Sequence, residues 1–228
     1  MSDLETGTAA VRRIATIVHG TYLLEVPPGV EPPALVMGFH GYGEGAEQHL
    51  EALRSLVATR PEAPPWALCS VQALHPFYTK SGRVVASWMT KFDRDRAIGD
   101  NVHYISAVLG EVLRDLPSVR RLAFTGFSQG VAMAYRAAAG CGRRSHALVV
   151  LGGDVPPEVQ QRDLAGFPPV LVGAGKEDRA YLPERMEQDL AVLRNLGVEA
   201  EGFPFDGGHE WTDSFRRRAG EFLAEHLS

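Results

Sequence analysis

The sequence predicts one α/β domain over residues 1–228, a mostly parallel sheet with helices on both faces and an antiparallel hairpin at its N-terminal end. Three observations carry this reading. Short apolar runs rich in Val, Leu and Ala recur along the chain, each closed by glycine or a turn. From Leu35 onward, most of these runs lead into a segment whose apolar residues keep helical spacing. Finally, 228 residues with 45% hydrophobic and 22% charged side chains suit one globular domain with a full core.

The elements follow in order. Residues 1–12 carry no apolar block and are expected to form a loose tail without a signal peptide. Thr16–Val18 and Tyr22–Val26 flank His19-Gly20-Thr21, the pattern of a hairpin. Prolines at 27, 28, 32 and 33 then interrupt the chain. Leu35–Phe39 reads as a strand, with a glycine-rich loop and a helix over about Ala46–Thr59 behind it, and Trp66–Val71 as the next strand. Ala73–Asp95 has no clear period and reads as a long loop, followed by a helix over about Ala97–Leu113. Leu122–Thr125 is a strand leading into an alanine-rich helix that ends near Ala139. Ala147–Leu151 and Val170–Val172 are strands, Pro183–Leu196 a helix, Glu199–Phe205 the last strand and Asp213–Leu227 the closing helix. Right-handed crossovers put the loops after Phe39, Thr125, Leu151, Val172 and Phe205 at one edge of the sheet.

Composition excludes several classes of function. The net charge of −5, with acids and bases mixed along the chain, gives no basic stripe for nucleic acid. No stretch reaches the roughly 18 apolar residues of a membrane span. Two cysteines, Cys69 and Cys141, are too few for a disulfide framework, and a cytoplasmic location is expected.

Gly126-Phe127-Ser128-Gln129-Gly130 sits between a strand and a helix, which is the context of a nucleophile elbow. Such a turn lifts the Ser128 oxygen clear of the sheet and places it at a helix N-terminus, where N–H groups favour negative charge. The base must then come late in the chain. His209, in Asp206-Gly207-Gly208-His209-Glu210-Trp211, follows the last strand, where a loop can lower an imidazole onto the serine. His226 lies in the last helical turn and His146 at the opposite sheet edge, so both read as structural. Asp178, beyond the strand Val170–Val172, is the favoured orienting acid; Glu177 and Asp154 are its competitors, and Asp206 is too close to His209 along the chain. Phe39-His40-Gly41-Tyr42-Gly43 offers a backbone donor at Tyr42, which pairs with the N–H of Gln129 as an oxyanion hole. His40 reads as a shaper of that loop. Tyr42, Phe77, Trp88 and Phe127 are the candidate walls of an acyl pocket, with simple packing onto the sheet as the alternative for Phe77 and Trp88.

These segments, together with Ser87-Trp88, the Gly173–Asp178 turn and Gly208-His209-Glu210, resemble the phospholipase/carboxylesterase family of α/β-hydrolases. That group includes acyl-protein thioesterases and small bacterial carboxylesterases. The resemblance runs from about residue 20 to the C-terminus. It implies the α/β-hydrolase fold without a large cap, and a serine esterase needing no cofactor and no metal. Its substrate would be a small-molecule carboxylic ester or thioester with a small or medium acyl group. The chain departs from the family where the usual Trp-Phe-Asp appears as Trp88-Met89-Thr90-Lys91-Phe92-Asp93, and where Tyr42 replaces a leucine. An amidase, a peptidase or a dienelactone-type hydrolase on the same fold, and a non-catalytic binding module, are the competing readings.

Overall fold

A computed structural model describes residues 9–60 and 64–228. The elements are β1 (Tyr22–Glu25), β2 (Ala34–Phe39), α1 (Ala46–Ala58), β3 (Ala67–Val71), β4 (His75–Tyr78), β5 (Val84–Ser87), α2 (Arg94–Asp115), β6 (Arg121–Phe127), α3 (Gln129–Gly140), β7 (Ala147–Leu151), α4 (Pro157–Gln160), β8 (Val170–Gly175), α5 (Pro183–Asn195), β9 (Ala200–Phe205) and α6 (Asp213–Leu227). Among the described residues, seven strands form one sheet in the order β1-β3-β2-β6-β7-β8-β9. β1 is antiparallel to β3, and every other pairing in that sheet is parallel.

Alternation along the strands sorts the side chains into two cores. Leu35, Met37 and Phe39 of β2 join Phe124, Leu148 and Val172 on one face, under Ile105 of α2, Val131 of α3 and Leu190 of α5. Ala34 and Val36 point the other way and meet Leu53 of α1 with Phe215 and Leu223 of α6. β2, β6, β7 and β8 are buried on both faces, and their near-continuous apolar runs record that. Leu35, Leu53, Leu148 and Leu223 are each fully buried, and each contributes roughly 1.5–3 kcal/mol by leaving water. No helix among the described residues is long and apolar enough to cross a membrane.

The expected N-terminal hairpin does not form. Thr16–Val18 has no regular structure, and Ile14 and Ile17 are 92% and 89% exposed. Tyr22–Glu25 pairs instead with β3, which offers a four-residue register against the body of the sheet. The Thr21 carbonyl accepts both the Gln72 N–H at 2.9 Å and the Tyr104 hydroxyl at 2.7 Å, so no hairpin partner can use it. Most of the expected tail over residues 1–12 falls outside the described residues, and 9–12 have no regular structure. The segment read as a long loop, Ala73–Asp95, contains the small β4–β5 hairpin and the start of α2. The one-turn helix α4 was not anticipated. β9 lies at a sheet edge, where Glu201 meets Arg218 at 2.6 Å and Pro204 occupies the next-to-last position.

Candidate active site

Parallel strands deliver the chemistry to one edge. The register sets Phe39 beside Gly126, Phe127 beside Leu151 and Gly175 beside Phe205, so the loops leaving β2, β6, β7, β8 and β9 emerge together. Ser128 sits between β6 and α3 with φ 52° and ψ −118°, a conformation that costs a non-glycine residue of the order of 1–3 kcal/mol. Its N–H donates to the Leu151 carbonyl at 2.9 Å, and its own carbonyl accepts from Val131 at 3.0 Å. The flanking glycines are required by contact. A Cβ on Gly126 would lie 2.5 Å from the Gly130 carbonyl oxygen, and one on Gly130 would strike the backbone of Phe39.

The loop after β9 brings His209 beside the turn after β8. Its Nδ1 lies 2.7 Å from Asp178 Oδ2 and donates to it, which leaves Nε2 as a free base. The Asp178 side chain is 1% exposed and that of His209 28%. The other Asp178 oxygen accepts the N–H groups of Ala180 at 2.7 Å and Tyr181 at 3.0 Å, so the carboxylate is fixed by its own turn. Gly152, at φ 72°, makes room for the imidazole, since a Cβ there would lie 2.8 Å from His209 Cε1. Phe127 packs under the imidazole with ring centroids 4.9 Å apart.

The competing acids are engaged elsewhere. Asp154 pairs with Arg185 at 2.7 Å, Asp206 pairs with Lys176 at 2.7 Å in solvent, and Glu177 is exposed. His226 bonds the Phe222 carbonyl within its own helix, and His146 accepts the Leu122 N–H at 3.1 Å at the far end of β6.

The loop after β2 closes over Ser128 so tightly that a Cβ on Gly41 would lie 3.3 Å from that of the serine. His40 shapes it. His40 Nε2 accepts the Ala73 N–H at 3.1 Å, so Nδ1 carries the proton and donates to the Gly41 carbonyl at 2.7 Å. Burial pushes the His40 pKa down. Glu44, which the sequence reading did not single out, accepts the Gly41 N–H at 2.8 Å. Desolvation raises its pKa, against the pull of that N–H and of His209. Gln129 begins α3. Its side chain accepts Trp88 N–H at 2.9 Å and donates to the Met89 carbonyl at 2.8 Å, clamping the segment after β5 to the elbow.

The four candidate pocket residues divide. Tyr42 is 61% exposed and stacks on half-buried Phe77, with ring centroids 5.2 Å apart. Phe127 keeps 7% exposure beside His209. Trp88 is fully buried, edge-on to Phe39, with its indole N–H donating to the His40 carbonyl at 2.9 Å. It therefore offers no surface to a ligand, and its assignment to the pocket is corrected: the β4–β5 hairpin folds it into the core. Ser128, Gln129 and His209 line one cleft of about 320 Å³, joined by Arg94 and Arg136, which the sequence reading also passed over.

No family model matches the chain. It is 33% identical over 82 residues to the "Putative hydrolase MhqD" of Bacillus subtilis (strain 168), a stretch covering 36% of this chain and 38% of that protein. Among solved structures, a carboxylesterase from Mesorhizobium loti superposes with a TM-score of 0.74 at 19% identity, covering 93% of this chain and 98% of that one. Esterase PE8 gives 0.73 at 21% identity, covering 92% and 100%. Zea mays acyl-protein thioesterase 2 gives 0.68 at 19% identity, also covering 92% and 100%. With its parallel sheet, its elbow at the β6–α3 junction and these neighbours, the chain has the α/β-hydrolase fold.

Proposed function

We propose that the chain is a serine hydrolase cleaving carboxylic esters or thioesters of small or medium acyl substrates through an acyl-enzyme. The observation that carries this reading is the 2.7 Å bond from His209 Nδ1 to a buried Asp178, in the cleft where Ser128 holds its strained backbone. With Nδ1–H committed to Asp178, His209 Nε2 takes the Ser128 proton as the oxygen attacks the acyl carbonyl. Negative charge on the carbonyl oxygen is received by the N–H groups of Gln129 and Tyr42. Collapse of the tetrahedral intermediate expels the alcohol or thiol, which takes the proton from His209. Water then attacks the acyl carbonyl while giving a proton to the same nitrogen, and His209 passes that proton to the Ser128 oxygen as the acid is released. The exposed stack of Tyr42 on Phe77 and the rim of Phe127 supply apolar surface for the substrate. The esterase and thioesterase names of the structural neighbours agree with this chemistry.

A fluorophosphonate probe should label folded protein at Ser128, as found by peptide mapping, and should not label Ser128→Ala. Wild-type protein that stays unlabelled at Ser128 would overturn the proposal. Rates over p-nitrophenyl esters of increasing chain length then read the size of the acyl site.

A further inference from the structure

The cleft holding Ser128 is walled on one side by two arginines that the steps above do not use. Arg136 follows Ser128 by eight residues, with Ala132 midway, so the three share one face of α3. At 1.5 Å per residue the Arg136 backbone stands about 12 Å along the helix from the serine. Helical side chains lean toward the N-terminus, which brings the guanidinium back toward the nucleophile, over the small Ala132.

The charges around this wall do not balance. Arg136, itself buried, has one carboxylate partner, Glu158 Oε1 at 2.7 Å. Its Nη1 faces the sulfur atoms of Met89 and Met133, at 3.7 and 3.4 Å. Arg94, the first residue of α2, takes the other oxygen of the same Glu158 at 2.9 Å. Its further contact, to Asp95 at 3.9 Å, is with a fully exposed carboxylate that water screens. Two guanidinium groups thus share one carboxylate, and both of them line the cleft while Glu158 does not. The carboxylate that does line it, Asp154, is held by Nε and Nη2 of Arg185 at 2.9 and 2.7 Å. One positive charge is left facing the space beside Ser128. Burial lowers the Arg136 pKa, against the pull of Glu158 and with Arg94 adding to the shift.

We propose that Arg94 and Arg136 form a carboxylate subsite, so that the preferred substrates are esters carrying a carboxylate a few bonds from the scissile carbonyl, such as half-esters of short dicarboxylic acids. The planar, permanently charged guanidinium suits a carboxylate, which it can bind through two parallel N–H groups. The proposal rests on the serine hydrolase reading above. Hydrolysis of such a half-ester consumes one water and breaks the acyl C–O bond. The alcohol leaves with the proton from His209, and the product is a dicarboxylic acid.

The test compares kcat/KM for each carboxylate ester with its neutral carboxamide-capped analogue. p-Nitrophenyl half-esters of succinate, glutarate and adipate carry the charge on the acyl side, and acetyl esters of short ω-hydroxy acids carry it on the alcohol side. In one of the two series the wild type should favour the carboxylate about tenfold or more, the scale of a hydrogen bond to a charged group. Arg94→Gln should lower that ratio about tenfold, and Glu158→Gln, by releasing both guanidinium groups, should raise it. The preference should also weaken as salt is added. Ratios near one in both series, or a ratio in Arg94→Gln equal to that of the wild type, would overturn the subsite. Arg94 has a side chain 41% exposed, so its replacement is tolerated even where replacement of the buried Arg136 prevents folding. If no ester is turned over and Ser128 is not labelled, it is the hydrolase reading that fails. Calorimetry with glutarate still decides the subsite: saturable binding lost in Arg94→Gln supports it, and no binding by the wild type overturns it.

Discussion

Two histidines, His49 on α1 and His209 in the loop after β9, sit in contrasting surroundings. Near β2, His49 is wholly enclosed, its Nε2 3.2 Å from the Thr125 hydroxyl and its ring packed on the bare α-carbon of Gly38. Desolvation, with His40 nearby, pushes its pKa down to about 3. Beyond β9, His209 keeps part of its ring in the cleft and has a carboxylate behind it. A histidine sealed among apolar and neutral groups stays uncharged across the working pH range. His209, whose Nδ1 donates to an aspartate, carries its lone pair on Nε2. In the mechanism proposed above, the anion behind the ring is what would set His209, as base, apart from a histidine that only packs.

The sharpest way to break this contrast is to remove that anion. Asp178→Asn should keep the fold and lower kcat by about 10⁴-fold, because the amide no longer holds the Nδ1–H tautomer. Ester hydrolysis measured under saturating substrate checks this, and a rate within tenfold of wild type would count against the role of Asp178. At His49 the expected effect is on stability. With the folded pKa near 3 and the ordinary value at 6.5, the unfolded chain binds a proton between those limits and the folded chain does not. Stability is then fully present above about pH 6.5 and falls toward pH 3, by about 1.4 kcal/mol per pH unit. Urea unfolding of wild type and His49→Gln at pH 7 and pH 5 should show the gap between them shift by about 2 kcal/mol in favour of the variant at pH 5. A gap that does not change with pH would mean that His49 has the same pKa in the folded and unfolded chain. Least affected should be Glu177→Gln, one residue from Asp178 but exposed, which should leave kcat/KM within twofold of wild type.

Legibility in the sequence followed the range of the interactions concerned. The elbow is largely a local device, and Gly126–Gly130 becomes legible once the strand before it and the helix after it are read with it, although Gly130 also answers to the backbone of Phe39. The order of the central strands and long helices from Leu35 onward was visible as well, since each apolar run has its own period and closing turn, whereas β4, β5 and the one-turn α4 were not. Contacts that bridge distant segments were not. The side chain of Gln129 clamps residues about 40 positions away, Glu44 braces a loop by a bond to a backbone N–H, and Arg94 and Arg136 meet only through Glu158. No spacing rule connects such partners. Trp88 misled for the related reason that an aromatic in an aperiodic stretch looks available, whereas the hairpin around it drives the indole inward. Thr16–Val18 has strand composition, but the Thr21 carbonyl is bonded to Gln72 and Tyr104, and the segment leaves the outer edge of β1 unpaired.

The proline in β9 bears on how this molecule behaves at high concentration. An outermost strand with a full row of free N–H groups is a template onto which another chain can add, and addition of that kind begins fibrils and precipitates. Pro204 interrupts the row, and the ion pair of Glu201 with Arg218 places charge beside it. At the opposite border β1 runs for only four residues before Pro27 and Pro28. Both borders of the sheet are thus poor seeds for intermolecular strand pairing, a safeguard built from residues with no part in the chemistry.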